Sequence, residues 1–321
     1  MSKRPRAGAW VDEARGVGAS PTARYLATLS KGSRRTVHES LARLASMLTG
    51  LEKVDPLKVR WEALRREDTV KLRAELMDQL APTTANKVLS VLRGVLRACR
   101  DMGLMTEGEF QTAASLERVK LNPPAEVVPV SEAVVAALFT ACFENRTAAG
   151  RRDAALLALF LSTGLRRAEA SALDVADYDP RSGHLHIRGE RPEYDRLAVL
   201  GKPARQAMND WLEVRTREPG PLLLPVDRGG LICFRRLTDQ AIYDIAGRVA
   251  QRAGVPTVTL RDIRRAYVIS LIRTGKDLPE VQYLVGHASW LTTTSYQALA
   301  SEKRHPTYDV VNLPYQPRST L

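Results

Sequence analysis

The chain has 321 residues, of which 44% are hydrophobic and 26% charged, so a wholly disordered chain is excluded. At about 150 residues per domain, this length predicts two domains. The longest unbroken apolar run, residues 154–161, is far shorter than the roughly 20 residues that span a bilayer, and the basic N-terminus lacks the apolar core of a secretory signal. We expect a soluble cytoplasmic protein without a membrane partner.

The balance of charge is strongly basic. Lysine and arginine number 48 against 36 aspartates and glutamates, which leaves a net charge of +12. This excess favours a polyanionic partner, because each lysine or arginine that meets a phosphate releases condensed counterions. Charge therefore points to nucleic acid without saying what is done to it, and a merely solvated basic surface is the alternative.

Composition and periodicity divide the chain into segments. The N-terminal residues lack a sustained apolar period, and three prolines between residues 122 and 130 interrupt the helical pattern. The predicted segments are a flexible basic tail at 1–18, a helical domain at 19–118, a linker at 119–130, a second domain at 131–304 and an extended tail at 305–321.

One helix of the first domain carries cations on its polar side. It begins near Pro82, and its apolar stripe runs along Val88–Cys99. Lys87, Arg93 and Arg97 fall largely off the stripe, where they are candidates for contacts with a phosphate backbone. A plain amphipathic helix with a soluble face is the alternative.

The second domain mixes helices with one β-hairpin. A strongly apolar helix at 152–161 is predicted to form its core. The remaining predicted elements are strands at 184–188 and 196–200, joined by the connection 189–195, and helices at 204–215 and 238–254.

Common cofactor and metal motifs are absent: there is no phosphate loop, no GxGxxG after a strand, no HExxH, and the three cysteines lack CxxC spacing. Asp174, Asp177 and Asp179 lie at a helix-to-turn junction, where aspartates commonly cap. His184 and His186 share one strand face without an obvious third ligand. We expect no metal and no cofactor.

Three further segments fit one chemistry when they are combined. The first, 162–169, follows the apolar helix and projects an arginine from a turn, with a glutamate one helical turn later to orient it. The second, 259–267, places two arginines on one helix face, and the third, 284–296, holds a histidine and a tyrosine. The combined set is Arg166, Glu169, Arg261, Arg264, His287 and Tyr296.

Two arginines can clamp the non-bridging oxygens of a phosphodiester and neutralise the charge that builds in a pentacoordinate transition state. A tyrosine can attack the phosphorus and form a covalent intermediate that stores the bond energy without ATP. Its unperturbed pKa of about 10 means that it needs a cationic site or a base to ionise. A nearby histidine can hold the same phosphate, and no metal is required.

These segments resemble the motifs of the tyrosine recombinase (phage integrase) family. TGLRxxE matches the first arginine box at Arg166, LRDIRRAY resembles the second box at Arg264, and LVGHASWLTTTSY resembles the LGHxxxxTTxxY signature. The resemblance implies that Tyr296 is the nucleophile, that Arg166, Arg264 and His287 are catalytic, and that Glu169 supports them.

The second box departs from the family pattern. The family usually carries histidine three residues before its arginine, and here Arg261 occupies that position. Arginine binds phosphate but is a poor proton shuttle near neutral pH. We therefore count Arg261 among the catalytic candidates without assigning it the role of general base.

The β-hairpin also departs from the pattern. The family carries a lysine there as general acid for the leaving 5′-hydroxyl, but Glu190 takes its place, and Lys202 lies beyond the second strand. Three hairpin arginines are alternatives as electrostatic substitutes, or pair across the strands with Glu190, Glu193 and Asp195. They are Arg188, Arg191 and Arg196, of which Arg191 is also a candidate DNA contact.

The resemblance implies a mainly α fold with a small β-hairpin: a helical core-binding domain and a mixed α+β catalytic domain that close as a C-shaped clamp on double-stranded DNA. It implies a site-specific recombinase of the integrase or transposase type, with a 3′-phosphotyrosyl intermediate and four protomers on two duplexes. Accessory DNA-bending proteins are further expected partners, and the bacterial nucleoid is the expected location. The tail after Pro306 is expected to dock on a neighbouring protomer.

Three other functions compete with this interpretation. A DNA-binding protein of the same fold with weakened catalysis would explain both departures. A type IB topoisomerase uses the same phosphotyrosine chemistry as a monomer and needs no synapsis. A basic helical scaffold would make Tyr296 dispensable.

Overall fold

The computed structural model describes residues 10–120, 130–301 and 312–317. The chain forms two compact units, Met1–Ala125 and Glu126–Leu321, and the boundary falls within the predicted linker 119–130. Both units are mainly helical, and the described residues contain one two-stranded antiparallel sheet. This confirms the predicted fold class, a mainly α chain with a small β-hairpin.

Among its described residues, the first unit contains five α-helices around one apolar core. They are α1 (Pro21–Ala27), α2 (Lys31–Thr49), α3 (Arg66–Gln79), α4 (Pro82–Asp101) and α5 (Glu107–Ala114). Pro82 occupies the first turn of α4, where its missing N–H costs nothing. The predicted stripe of α4 is buried from Val88 to Cys99, and it contributes the centre of the core.

Part of the predicted flexible tail is ordered. Residues 1–9 lie outside the described residues, but Trp10 is buried in the core of the first unit, and Arg15 forms an ion pair with Glu62. The backbone at Trp10 accepts a hydrogen bond from Arg60, at 2.9 Å. Among residues 10–18 only Trp10 is buried, so the segment has no repeating apolar pattern. Sequence periodicity therefore does not predict that this segment is anchored to the core.

The second unit holds eight helices and the hairpin among its described residues. They are α6 (Glu132–Glu144), α7 (Ala148–Thr163), α8 (Arg167–Ala172), β1 (His184–Ile187), β2 (Arg196–Val199), α9 (Lys202–Arg215), α10 (Asp239–Arg252), α11 (Leu260–Arg273), α12 (Leu278–Val285) and α13 (Trp290–Ser301). The predicted apolar run 154–161 lies in α7 and is completely buried, so α7 is the central helix of this unit.

The two strands pair antiparallel in one register. His184 lies opposite Val199 and Ile187 opposite Arg196. Leu185 and Ile187 point into the core, which leaves both histidines of β1 on the exposed face. The loop between the strands is closed at its base by Gly189, whose amide donates to Asp195 at 2.9 Å.

The described C-terminal segment, 312–317, packs on the second unit itself. Tyr315 is buried, with its ring 5.8 Å from Phe139 and 5.2 Å from Phe143 between centroids, and its hydroxyl donates to Asp210. Leu313 is buried beside it. We expected the tail to dock on a neighbouring protomer, and the described part of it, 312–317, packs on its own chain. Residues 302–311 and 318–321 lie outside the described residues.

Within the part of the chain that the structure describes, none of the helices has the length and apolar character to cross a membrane.

Candidate active site

The site begins where α7 ends. Gly164 adopts a left-handed conformation with φ 58°, and its amide donates to Phe160 at 2.9 Å, which terminates the helix. Two residues later Arg166 caps α8. Its guanidinium donates to Glu169 Oε1 at 2.8 Å and to the carbonyl of Gly286 at 2.5 Å. Arg166 therefore joins the start of α8 to the turn that follows α12.

Glu169 is a carboxylate that is only 9% exposed. It accepts from the amide of Arg166 at 2.7 Å and from both terminal nitrogens of Arg196, at 3.0 and 2.9 Å. Burial opposes ionisation, but the hydrogen bond and charge of Arg196, with a smaller effect of Arg166, hold the pKa of Glu169 below its usual range. Glu169 is thus the common counter-ion of two arginines.

Arg264 enters from α11. Its guanidinium donates to the carbonyl of Gly164 and, at 2.7 Å, to that of Val285. Burial, followed by the like charge of Arg166, lowers the pKa of Arg264 to about 10. The group stays protonated at neutral pH, so it keeps its charge beside Arg166.

His287 and Tyr296 complete the cluster. The His287 Nδ1 lies 3.0 Å from the hydroxyl of Thr293, and the imidazole stacks on the Tyr296 ring, with 5.9 Å between centroids and 15° between planes. Burial and then the charges of Arg264 and Arg166 lower the pKa of His287 to about 4. The imidazole is therefore neutral at physiological pH.

One structural feature brings these residues together, namely the C-terminal end of α12. A helix leaves its last carbonyls without partners inside the helix. Here three successive carbonyls accept from three arginines: Leu284 from Arg196 at 3.0 Å, Val285 from Arg264, and Gly286 from Arg166.

Arg261 lies at the edge of the cluster. It is exposed in the first turn of α11, and no hydrogen bond or ion pair engages it among the described residues. It lines a pocket of 450 Å³ together with Arg166, Arg264 and Tyr243. The position where the family usually has histidine therefore holds a permanent cation that faces the same pocket as two of the predicted catalytic arginines.

The hairpin arginines have different positions. Arg188 donates to Asp177 at 2.8 Å and to the carbonyl of Ala172 at 2.6 Å, away from the cluster. Arg191 is exposed, 3.6 Å from Glu193, which matches one of the expected pairings. Glu190 is exposed in the same loop, and exposed Lys202 begins α9.

Arg196 lies where the sequence pattern did not indicate it. It was expected to pair within the hairpin or to substitute for the missing lysine, but its guanidinium reaches Glu169 instead. No local pattern marks this position, because the apolar Leu197 and Val199 of β2 are exposed, whereas Arg196 faces inward and, as a buried arginine, needs a carboxylate partner.

The cations predicted on α4 divide into two groups. Lys87 and Arg97 are exposed. Arg93 is partly buried, and its guanidinium donates to the carbonyls of Ala114 at 3.2 Å and Leu116 at 2.5 Å. Burial, followed by the nearby charge of another arginine, lowers the pKa of Arg93. Its donors thus connect α4 to the end of α5.

The acidic junction after α8 is engaged by protein groups. Asp177 and Asp174 form ion pairs with Arg188, at 2.7 and 3.5 Å, and Asp179 accepts from Ser182 at 2.5 Å. Across residues 10–120, 130–301 and 312–317, no group of three or more histidines, cysteines and carboxylates is arranged to hold a metal ion.

Comparisons with known proteins place the chain in a family. The profile of the phage integrase family matches residues 130–303. The tyrosine recombinase XerC of Shewanella amazonensis is 30% identical over 292 residues, which cover 89% of this chain and 92% of that protein. XerC of Bifidobacterium longum strain DJO10A is 32% identical over 170 residues, 49% of this chain and 46% of that protein, so the chain matches about half the length of this relative.

Solved structures share the fold at low identity. A lambda integrase dimer bound to a COC′ core site has a TM-score of 0.64 at 14% identity, and the match covers 90% of this chain and 96% of that chain. For a lambda integrase tetramer bound to a Holliday junction the TM-score is 0.63 at 13% identity, with 88% and 78% covered. With more than half of the chain matched by the profile and one relative matched over most of its length, the chain belongs to the phage integrase family of tyrosine recombinases, whose members are DNA breaking-rejoining enzymes.

Proposed function

We propose that this chain is a site-specific DNA recombinase that cleaves and rejoins strands through a covalent 3′-phosphotyrosyl intermediate at Tyr296, without metal or ATP. The observation that carries the proposal is the convergence of Arg166, Arg264, His287 and Tyr296 on the C-terminal end of α12. Family membership supports the reaction class, and the geometry supports the roles of the individual residues.

In the cleavage step the Tyr296 oxygen forms a bond to the scissile phosphorus and the bond to the 5′-oxygen breaks. The phenolic proton is lost, and the leaving 5′-oxygen gains one. Arg166 and Arg264 neutralise the non-bridging oxygens, whose charge is greatest in the transition state. A 5′-hydroxyl from a partner duplex then attacks the phosphotyrosine and restores Tyr296. One phosphate ester replaces another at each step, so no nucleotide hydrolysis is needed.

His287 acts as a hydrogen-bond donor to the phosphate. With its Nδ1 accepting from the Thr293 hydroxyl, the Nε2 carries the proton of the neutral imidazole and donates it in a hydrogen bond to a phosphate oxygen. Arg261 adds a further positive charge beside the pocket. Because guanidinium does not release its proton near neutral pH, Arg261 binds phosphate and does not act as a base.

The protonation of the leaving oxygen falls to another group. Arg188 and Arg196 are engaged by carboxylates. Lys202 at the start of α9 is an exposed cation of this region that can release a proton, whereas exposed Arg191 in the hairpin loop can contribute only its charge.

The partner is double-stranded DNA with specific recombination sites, bound by a homotetramer on two duplexes. The net charge of +12 supports a polyanion, and the exposed Lys87, Arg97 and Arg191 supply phosphate contacts. Arg93 is left out because its donors are engaged inside the first unit. The lambda integrase tetramer on a Holliday junction supports the assembly. Accessory DNA-bending proteins join it, and the enzyme acts at the bacterial nucleoid.

Covalent trapping tests the proposal. Wild type, Tyr296→Phe and Lys202→Ala are incubated with a nicked suicide duplex from the DNA that flanks the gene, with a metal chelator present. We expect a shifted, protease-sensitive band on a denaturing gel that only Tyr296→Phe abolishes. Tight, salt-sensitive binding without a band would favour a DNA-binding protein with a disabled site. Relaxation of supercoils without strand exchange between two sites would favour a topoisomerase.

A further inference from the structure

A third arginine, Arg196, belongs to the cluster although its side chain is not accessible to solvent. The Arg196 side chain is 1% exposed, yet it carries a full charge. It holds Glu169 through both terminal nitrogens, at 3.0 and 2.9 Å, and its Nε donates to the carbonyl of Leu284 at 3.0 Å. Three of its N–H groups thus donate to the protein, and the side chain does not reach the solvent from which a phosphate would approach.

The contacts of Arg196 are shared with Arg166. Both arginines bind Glu169, and both lie against Gly286: a Cβ there would be 2.7 Å from Arg196 Nη1 and 3.4 Å from Arg166 Nη1. Two guanidinium groups this close repel each other unless a counter-ion lies between them. Glu169 is that counter-ion, and the forked pair with Arg196 fixes the plane of its carboxylate.

The same arginine also fixes the segment that carries His287. Its bond to Leu284 is the first of the three arginine contacts at the end of α12, and His287 follows two residues after the last of the helix. Arg264 and Arg166 make the other two contacts, and both are proposed to bind the phosphate. Arg196 is thus the one of the three whose bond to α12 does not compete with the substrate.

We propose that Arg196 is a positioning residue of the strand-transfer reaction: by fixing Glu169 and the end of α12, it holds Arg166 and His287 in the geometry that receives the scissile phosphate. This inference rests on the proposed function. In this role Arg196 keeps Arg166 and His287 in place before the substrate reacts. A displacement of such groups by about 1 Å costs on the order of 100-fold in rate.

The test compares Arg196→Met and Arg196→Lys with the matched control Arg188→Met, which removes a paired arginine from the same hairpin outside the cluster. Adduct formation is timed on a suicide duplex and on the same duplex with a methylphosphonate at the scissile position. The neutral methylphosphonate lacks the charge that Arg166 neutralises, so the rate of adduct formation on it depends less on the position of Arg166.

We expect Arg196→Met to lose about 100-fold in rate on the phosphodiester and less than about tenfold on the methylphosphonate, with duplex affinity in a gel shift unchanged. Arg196→Lys should resemble Arg196→Met, since lysine cannot make the forked pair. Arg188→Met should match wild type on both substrates. Equal losses of Arg196→Met on the two substrates, or an effect no larger than that of the control, would overturn the proposal.

Hydrogen–deuterium exchange gives a readout that does not depend on cleavage. Arg196→Met is expected to accelerate exchange of the amides in 164–170 and 284–288, whereas Arg188→Met leaves both segments protected. If wild type formed no adduct, the proposed function would fail by itself. Unchanged exchange in Arg196→Met would then reject the positioning role separately.

Discussion

At the scale of single residues, two positions stand where the family pattern has histidine, and this chain has histidine at only one of them, His287; the other is Arg261. His287 is a neutral imidazole, because burial and then the neighbouring arginines lower its pKa to about 4. Arg261 carries a charge that does not change with pH. The His287 imidazole therefore does not change its charge between pH 5 and 8, the range in which unperturbed histidines titrate.

A histidine restored at position 261 should give cleavage a pH dependence. Wild type is expected to form adduct at a constant rate over about one pH unit on either side of the unperturbed histidine pKa of about 6.5. In Arg261→His the rate should fall as the pH rises through this range, because the cation beside the phosphate is lost.

Arg261→Lys is the control, since it keeps the charge and should keep the flat profile. The measurement is the initial rate of adduct formation on the suicide duplex at each pH. A rate that rises with pH in Arg261→His would instead assign proton transfer to this position.

The lowered pKa of His287 also has a consequence for stability. In the unfolded chain the pKa of this histidine is about 6.5, and in the folded state it is about 4. Between these two pH values the unfolded state therefore binds more protons than the folded state. Stability therefore rises with pH in this window and falls as the pH drops, by up to about 3 kcal/mol for this group.

Chemical denaturation of wild type and His287→Asn between pH 4 and 7 measures this effect. The variant should lose most of the pH dependence contributed by this site, whatever its stability at pH 7. The exposed His184→Asn should leave the dependence as in wild type. A wild-type slope retained in His287→Asn would contradict the assigned pKa.

At the scale of elements, the end of α12 organises the site. Its free carbonyls carry the negative end of the helix dipole, which favours cations. Three arginines from the start of α8, from α11 and from β2 bind there, so elements far apart in the chain meet at one helix terminus. The turn needs glycine at position 286, where φ is 63° and a Cβ would lie 2.7 Å from Arg196 Nη1, so the guanidinium of Arg196 would have to move.

Gly286→Ala should therefore lower the rate of adduct formation by more than the strain of a left-handed alanine explains. A left-handed alanine costs about 1–2 kcal/mol, and the same cost applies to Gly254→Ala, where φ is 71° and a Cβ meets no atom within 4 Å. We expect similar losses of thermal stability in both variants. Only Gly286→Ala should lower the rate of adduct formation, by about 100-fold, and comparable rates in the two variants would refute the steric argument.

At the scale of the whole molecule, the C-terminal segment is part of the second unit. Tyr315 fills a site between Phe139 and Phe143 and donates to the carboxylate of Asp210. An aromatic ring removed from such a site costs about 3–5 kcal/mol, and a hydrogen bond to a charged group about 1.5–3 kcal/mol.

Tyr315→Ala loses both contributions and should destabilise the second unit by about 5 kcal/mol, whereas Tyr315→Phe loses only the hydrogen bond and should cost about 2 kcal/mol. Hydrogen exchange of α6 and α9 should speed up, while α2 and α4 of the first unit keep the protection of wild type. An exchange pattern identical to that of wild type would show that the segment contributes no packing energy.

The motifs of the site were readable from sequence because the chemistry needs particular residue types at short spacings. Arg166 and Glu169 are three residues apart in the sequence and His287 and Tyr296 nine, and the structure brings both pairs together. The apolar stripe of α4 and the run 154–161 were likewise readable, since periodicity is a local property.

The sequence by itself therefore determined the family, the mainly helical fold and the residues proposed to act on phosphate. Only the tertiary structure decided how the remaining arginines are used. Arg196 pairs with Glu169 and Arg93 binds the carbonyls at the end of α5, although both resemble exposed cations in the sequence. Tyr315 likewise finds Asp210 on its own chain. These pairings join residues that are separated along the chain, and an arginine pairs with whichever carboxylate or carbonyl the packing of distant elements brings within reach.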